Sequence, residues 1–153
     1  MARQVLKEQG FDKEMEALPY PYVEPGFILL AKVGEEVAGG VAIKCPPNGL
    51  KYVRTKTKSE SEVRACEMKR MFVTDRFKGQ GIGKMLAKAC IKEASSLGCD
   101  IMVLDTADPK VPAMHFMAAA YNLYVSVGFK LRSPYGVHGD APHEGQAFFE
   151  LEL

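Results

Sequence analysis

The sequence predicts a mixed α/β domain, and three observations carry that expectation. Gly26-Phe-Ile-Leu-Leu-Ala-Lys-Val33 and Val37-Ala-Gly-Gly-Val-Ala-Ile-Lys44, joined by Gly34-Glu-Glu36, read as an antiparallel hairpin. Residues 66–105 read as strand, helix, strand, a right-handed crossover whose two strands must be parallel. Gln146-Ala-Phe-Phe-Glu-Leu-Glu-Leu153 closes the chain as an alternating strand.

A length of 153 residues suits one domain, 1–153, with a core of its own. Apolar content of 47% and charged content of 25% are those of a globular protein. The net charge of +1 makes no case for nucleic acid or a membrane surface as partner. No apolar run approaches the roughly 20 residues of a membrane helix. The opening Met-Ala-Arg-Gln-Val-Leu-Lys-Glu has no apolar signal region, so a cytoplasmic location is expected. Cys45, Cys66, Cys90 and Cys99 form no CxxC pair and no metal-ligand spacing. They read as small reduced core residues, and no metal is expected.

In chain order, residues 2–18 have a helical pattern with Val5, Leu6, Phe11, Met15 and Leu18 apolar. Pro19, Pro21 and Pro25 end it and begin an extended connection to the hairpin. Gly39-Gly40 inside the second strand predicts a bulge or a close neighbour. Residues 50–64 carry mixed charges without an aromatic array and read as a solvated surface loop. Cys66 to Val73 is the third strand. A helix from about Gly81 to Leu97 places Ile82, Leu86, Ala89, Cys90 and Ile91 on one apolar face, and Gly98 stops it. Asp100 to Asp105 is the parallel partner strand. Pro112 opens a further helix running to about Val127, Gly128 ends it, and Phe129 to Leu131 begins a strand. Residues 133–145 are a loop rich in Gly, Pro and His.

The chemistry concentrates in Met68-Lys-Arg-Met-Phe-Val-Thr-Asp-Arg-Phe-Lys-Gly-Gln-Gly-Ile-Gly-Lys84. Glycines at a helix start expose unpartnered amides at the positive end of the dipole, which suits a pyrophosphate. It is not a Walker A loop, because Lys78 and Met85 stand where glycine and Ser or Thr are required. It is not the dinucleotide fingerprint either, because GxGxG replaces GxGxxG and follows a longer turn.

Met71-Phe-Val73 and Lys78-Gly-Gln-Gly-Ile-Gly83 together resemble the GNAT superfamily of acyl-CoA N-acyltransferases, with its Gln/Arg-x-x-Gly-x-Gly/Ala signature after a strand. Ala120-Tyr-Asn-Leu-Tyr-Val-Ser-Val-Gly-Phe129 is similar to a second segment of that family. Lys78 departs from the usual Gln or Arg, and Met117 from a frequent Asn. The resemblance covers roughly 26–153 and is to the family's small, poorly characterised members. It implies a mixed, mainly antiparallel twisted sheet, a central parallel pair splayed for coenzyme A, and helices on both faces. The family's first strand has no counterpart here, which leaves a sheet edge open or covered by a partner chain, so that a homodimer is one expected assembly.

By that resemblance the protein is an acetyl-CoA-dependent N-acetyltransferase acting on a primary amine, in a small molecule or a protein. A GNAT-fold acyl-CoA sensor or scaffold without catalysis is the alternative. Met71, Phe72 and Val73 would lie along pantetheine. Lys78, Gly79, Gln80, Gly81, Ile82, Gly83 and Lys84 would hold the pyrophosphate. Tyr124 aligns with the tyrosine that protonates the departing sulfur, and Tyr121 is the competing assignment. Glu67 is the candidate base, followed by Asp105 and His115. His138 and His143 have no further ligand set, and their loop reads as a cover for the acceptor site.

Overall fold

The computed structural model describes residues 16–18, 22–46, 49–140 and 144–153. The helical pattern over residues 2–15 lies outside the described residues, with Pro19, Pro21 and His143. So does any strand that residues 1–15 would add ahead of the hairpin.

Six strands form one sheet among the described residues. In chain order they are β1 (Phe27–Val33), β2 (Glu36–Lys44), β3 (Ala65–Val73), β4 (Ile101–Ala107), β5 (Lys130–Arg132) and β6 (Gln146–Glu152). Side by side they run β1-β2-β3-β4-β6-β5. Every pair is antiparallel except β3 and β4, which are parallel, as a crossover through a helix requires. That helix, α1, is Ile82–Ser96, and a second, α2, is Ala118–Ser126. The helix expected from Pro112 is divided: Pro112–Met117 is a 3-10 turn, and α-helical geometry starts only at Ala118.

Pleating sends alternate side chains to opposite faces. Cys66, Met68, Met102, Leu104 and Phe149 pack under Leu86, Ala87, Cys90 and Tyr124 of the two helices. Ala65, Ile101, Val103 and Phe148 face the other way, where Val53, Val63 and Tyr135 cover them. A single helical turn, Val137–Asp140, lies on this second face, with His138 against Phe148 at 5.6 Å between ring centroids. Helices thus occupy both faces.

The segment expected as a solvated loop is therefore partly structural. Its charged residues are exposed, but Val53 and Val63 are buried and complete the second core. Two isolated valines are too sparse to form a recognisable period.

Gly39 and Gly40 have the close neighbours expected of them. A Cβ on Gly39 would stand 2.5 Å from the Phe72 carbonyl oxygen, and one on Gly40 2.8 Å from the Phe72 ring. The expected irregularity is there too: Ala31 pairs with Gly39 but Lys32 with Val37, so Ala38 is an extra residue of β2 against β1. A second irregularity lies in the partner strand β3. Gly40 pairs with Phe72 and Ala42 with Lys69, so between those pairs the single Val41 of β2 faces Arg70 and Met71 of β3. The extra residue sits beside Arg70, whose φ of 56° is left-handed.

Candidate active site

The β3–β4 ladder is short. Its registered pairs are Ala65 with Ile101, Cys66 with Met102 and Glu67 with Val103. Beyond them β3 continues to Val73 and β4 to Ala107 without pairing to each other. The bulge at Arg70 bends β3 where this separation begins, because an extra residue increases local twist and ends pairing. No residue of β4 is in register with Met71 to Val73. Met71 and Val73 lean on the helix-side core, whereas the Phe72 ring is exposed.

The chain leaves β3 through Thr74, whose amide donates to the Ala38 carbonyl over 2.9 Å, and a 3-10 turn, Asp75–Phe77, anchored by buried Phe77. The glycine loop follows. Gly79 and Gly81 have φ of 76° and 80°, and a Cβ on either would meet nothing within 4 Å. Gly81 is the N-cap of α1, and no side chain caps the helix. The first-turn amides of Ile82, Gly83 and Lys84 therefore lie at the positive end of the helix dipole, with open space beside Gly79 and Gly81. A pyrophosphate fits such a cradle. Gly83 closes its far side, since a Cβ there would stand 3.4 Å from Leu123 and 3.7 Å from Val73. Lys78 is paired with Asp75 at 2.5 Å, and that ammonium holds the Asp75 carboxyl below its usual range. Lys84 and Gln80 are exposed, with Gln80 Nε2 donating to the Arg76 carbonyl at 3.5 Å.

Tyr124 is buried on α2, edge-on to Phe129 at 6.0 Å and tilted against Phe149 at 6.2 Å. Among the described residues its hydroxyl has no hydrogen-bond partner. Burial first, then Asp105 and Cys90, push its pKa up to about 12. Tyr121 packs edge-on to Phe149 at 5.1 Å, one turn away.

Glu67 is 7% exposed and does not stand alone. The Tyr135 hydroxyl donates to its Oε1 over 2.8 Å, and Lys69 Nζ lies 3.3 Å from the same oxygen. Lys69 also reaches across the splay to Asp105 Oδ1 at 3.2 Å. Asp105 Oδ2 accepts from Gln146 Nε2 at 3.3 Å. Burial works against the Lys69 ammonium, but Glu67 and Asp105 outweigh it and hold its pKa above the usual lysine value. Two of the three base candidates are thus joined through one lysine. His115 is not among them: it is exposed, and its Nδ1 sits 3.2 Å from the Pro109 carbonyl.

The alternation Glu67-x-Lys69 placed both on one face, a signal readable in the sequence. Tyr135 carried no such signal, since nothing in the loop's composition points it at β3. A cavity of about 310 Å³ opens beside this network, lined by Asp108, Tyr121, Arg132, Pro134, Gln146 and Phe148 among others. Gln146 Oε1 is buried without a hydrogen-bond partner among the described residues. A larger cavity, about 700 Å³, lies at the opposite end of the β3–β4 pair, remote from the glycine loop.

Among the described residues no group of three or more His, Cys, Asp or Glu is arranged to hold a metal ion, and no helix is long and apolar enough to cross a membrane.

The family model described as Acetyltransferase (GNAT) family matches residues 3–122, beginning earlier and ending sooner than the span of 26–153 expected from the motifs. An uncharacterized N-acetyltransferase of Schizosaccharomyces pombe is 40% identical over 88 residues, which cover 58% of this chain and 48% of that protein. One of Dictyostelium discoideum is 40% identical over 70 residues, covering 46% of this chain and 29% of that protein. The match thus spans half or less of these curated relatives. A GNAT-family acetyltransferase from Staphylococcus aureus superposes with a TM-score of 0.64 at 20% identity, over 93% of this chain and 78% of that one. A GNAT acetyltransferase from Elizabethkingia anophelis, solved with acetyl-CoA bound, gives a TM-score of 0.59 at 19% identity, over 95% and 82%. At such identities the structures establish the fold alone. With the family match extending over most of the residues, the chain belongs to the GNAT acetyltransferase family.

Proposed function

We propose that this protein is an N-acetyltransferase that moves an acetyl group from acetyl-CoA directly to a primary amine. The observation that carries the reading is the ended β3–β4 ladder, with the open space at Gly79 and Gly81 at one end of the gap and, on the neighbouring helix, a buried Tyr124 whose hydroxyl has no hydrogen-bond partner among the described residues. The Elizabethkingia anophelis relative with acetyl-CoA and the Thermoplasma acidophilum relative in complex with coenzyme A support that choice of donor.

Acetyl-CoA supplies an acetyl thioester whose carbonyl carbon a neutral amine attacks as the C–S bond breaks. The amides from Gly79 to Lys84 would hold the pyrophosphate, with Lys84 adding charge and Lys78 doing so on leaving Asp75. The unpaired edge of β3 through Met71, Phe72 and Val73 would align pantetheine. Tyr124 is held neutral, the form that donates a proton to the leaving sulfur. Glu67 receives the proton shed by the amine, directly or through one water, while Tyr135 and Lys69 fix its carboxylate. The acceptor enters by the cavity beside Gln146, whose bare Oε1 accepts a hydrogen bond from its amine.

Tyr124→Phe tests the reading, since it removes only the hydroxyl. The expected result is a kcat lower by about 100-fold, with coenzyme A affinity retained. An unchanged kcat overturns the role of Tyr124. A parent that binds coenzyme A but acetylates nothing across a panel of amine classes, read by product mass, points instead to an acyl-CoA-binding module without catalysis.

A further inference from the structure

Tyr52 is 46% exposed, yet its φ of 65° is left-handed, a conformation rare for any residue with a bulky side chain. Each of its polar groups is engaged. The amide donates to Glu60 Oε2 over 2.9 Å, the carbonyl accepts from Arg132 Nη2 at 2.6 Å, and the hydroxyl donates to Asp140 Oδ1 at 2.5 Å. The ring lies against Gly139, where an added Cβ would overlap it. Backbone strain of this kind persists only where the surroundings impose it, and it collects at functional sites.

Arg132, Gly139 and Asp140 all belong to the segment that carries Tyr135. Lys51 adds two further ties to that segment. Its Nζ lies 2.8 Å from Asp140 Oδ2, and its carbonyl accepts from the Gly136 amide over 2.9 Å. Lys51 first, then Tyr52, hold the Asp140 carboxyl below its usual range, so it remains an acceptor at neutral pH. On the inner side the Tyr135 carbonyl accepts from the His138 and Gly139 amides at 3.1 and 3.2 Å. A short path therefore runs from the Tyr52 ring through Gly139 and the Tyr135 backbone to the Tyr135 hydroxyl, which donates to Glu67. Arg132 and Pro134, on the same segment, line the cavity of about 310 Å³ beside Gln146.

We propose that Tyr52 and Asp140 are positioning residues for acetyl transfer. They clasp residues 132–140 to residues 51–52, and so hold the Tyr135 hydroxyl on Glu67 and one wall of the acceptor cavity in place. The inference rests on the reading of Glu67 as the group that receives the proton of the amine. Neither Tyr52 nor Asp140 lines that cavity, so each acts through Tyr135.

The clasp is a surface device. The Lys51 and Asp140 side chains are 61% and 50% exposed, and pairs so open to water add little to stability. The segment has other anchors: Arg132 donates to the Ser133 carbonyl and to Glu150 Oε2, and Tyr135 packs edge-on to Phe148. With the clasp undone these keep the segment folded, while the Tyr135 hydroxyl gains freedom to leave Glu67.

Tyr52→Gly tests the proposal, since glycine keeps a left-handed backbone without strain and loses both ring and hydroxyl. Hydrogen exchange read by mass spectrometry should be faster at the Gly136 and Gly139 amides of the variant, with Tm little changed. The kcat for amine acetylation should fall about tenfold, as orientation is lost, with the KM for acetyl-CoA unchanged. Tyr135→Phe, confirmed as folded by circular dichroism, should fall as far, and the double variant no further, because both changes remove one restraint. Unchanged exchange at these amides overturns the clasp. Additive losses in the double variant overturn its action through Tyr135. A parent that acetylates no amine overturns the transferase reading and the positioning role with it, a result told apart from the others because the exchange measurement needs no activity.

Discussion

Tyr135 and Glu67 lie 68 residues apart in the chain, and the Tyr135 hydroxyl donates to Glu67 Oε1 over 2.8 Å. The tyrosine is 1% exposed, edge-on to Phe148 at 5.7 Å and beneath the Arg132 guanidinium at 5.6 Å. Burial first, then the charges of Glu67 and Asp105, raise its pKa well above the usual tyrosine value.

The sign of the resulting pH dependence follows. In the unfolded chain a tyrosine releases its proton near ~10, whereas folded Tyr135 keeps it. Its contribution is complete below about pH 10 and is lost as pH rises from there toward the folded value, since the unfolded state then binds fewer protons. Tyr124, pushed up to about 12, adds in the same direction. Urea unfolding free energy should be steady from about pH 7 to 9 and fall beyond about 10, less steeply in Tyr135→Phe. Ultraviolet titration of the folded protein in which all six tyrosines ionise together near ~10 would sink the idea.

Lys69 offers a second test of the same network. Its ammonium stands between Glu67 and Asp105, whose side chains are 9% and 10% exposed. Lys69→Met leaves two buried carboxylates without their shared cation, a loss of about 3 to 5 kcal/mol by urea denaturation. Adding Glu67→Gln and Asp105→Asn should recover much of it, because the repulsion goes with the charges. A Lys69→Met protein that unfolds with the parent refutes the coupling.

What the sequence made legible was periodic or local. Hairpin, crossover and closing strand each repeat an apolar spacing, and the glycines at 79, 81 and 83 mark a helix start whose amides are bare. The rest depends on contacts between distant residues. Val53 and Val63 are single apolar positions in charged surroundings, and only the fold shows that they cover Ile101 and Val103. Gly39-Gly40 signalled the irregularity of β2 at Ala38, but not the second one in β3, which room on β2 accommodates. Glu67 was legible as a carboxylate near the splay. That Tyr135 and Lys69 restrain it was not, since one arrives from a remote loop and the other needs the strand register.

The glycine cradle makes a sharper prediction about the donor site. At Gly81, with φ of 80° and open space around a Cβ, any L side chain is strained by about 1–2 kcal/mol but clashes with nothing. Gly81→Ala measures that strain alone. Gly81→Glu adds bulk and negative charge where the pyrophosphate would sit, and should weaken coenzyme A binding by about tenfold or more beyond the alanine variant, or ~1.4 kcal/mol. Calorimetry on both distinguishes strain from occlusion, and equal affinities would remove the pyrophosphate from this loop.

Gly39 tests whether the shape of β3, rather than any side chain, prepares the donor gap. It touches no proposed ligand, yet a Cβ on it would stand 2.5 Å from the Phe72 carbonyl oxygen, 3.2 Å from Leu86 and 3.3 Å from the Val73 Cα. The first contact is with backbone, which cannot rotate away, so Gly39→Ala must displace the end of β3 or β2 itself. Overpacking of this kind costs about 1–3 kcal/mol. The displaced segment is the one proposed to line pantetheine, so coenzyme A affinity should fall together with Tm. Gly34→Ala is the control: its φ of 62° imposes strain, but a Cβ there meets nothing within 4 Å, and it lies in the remote β1–β2 turn. It should lower Tm and leave coenzyme A affinity where it was. If Gly39→Ala likewise loses stability alone, the gap is robust to the position of β3, and the bulge at Arg70 rather than the Gly39 contact sets the splay.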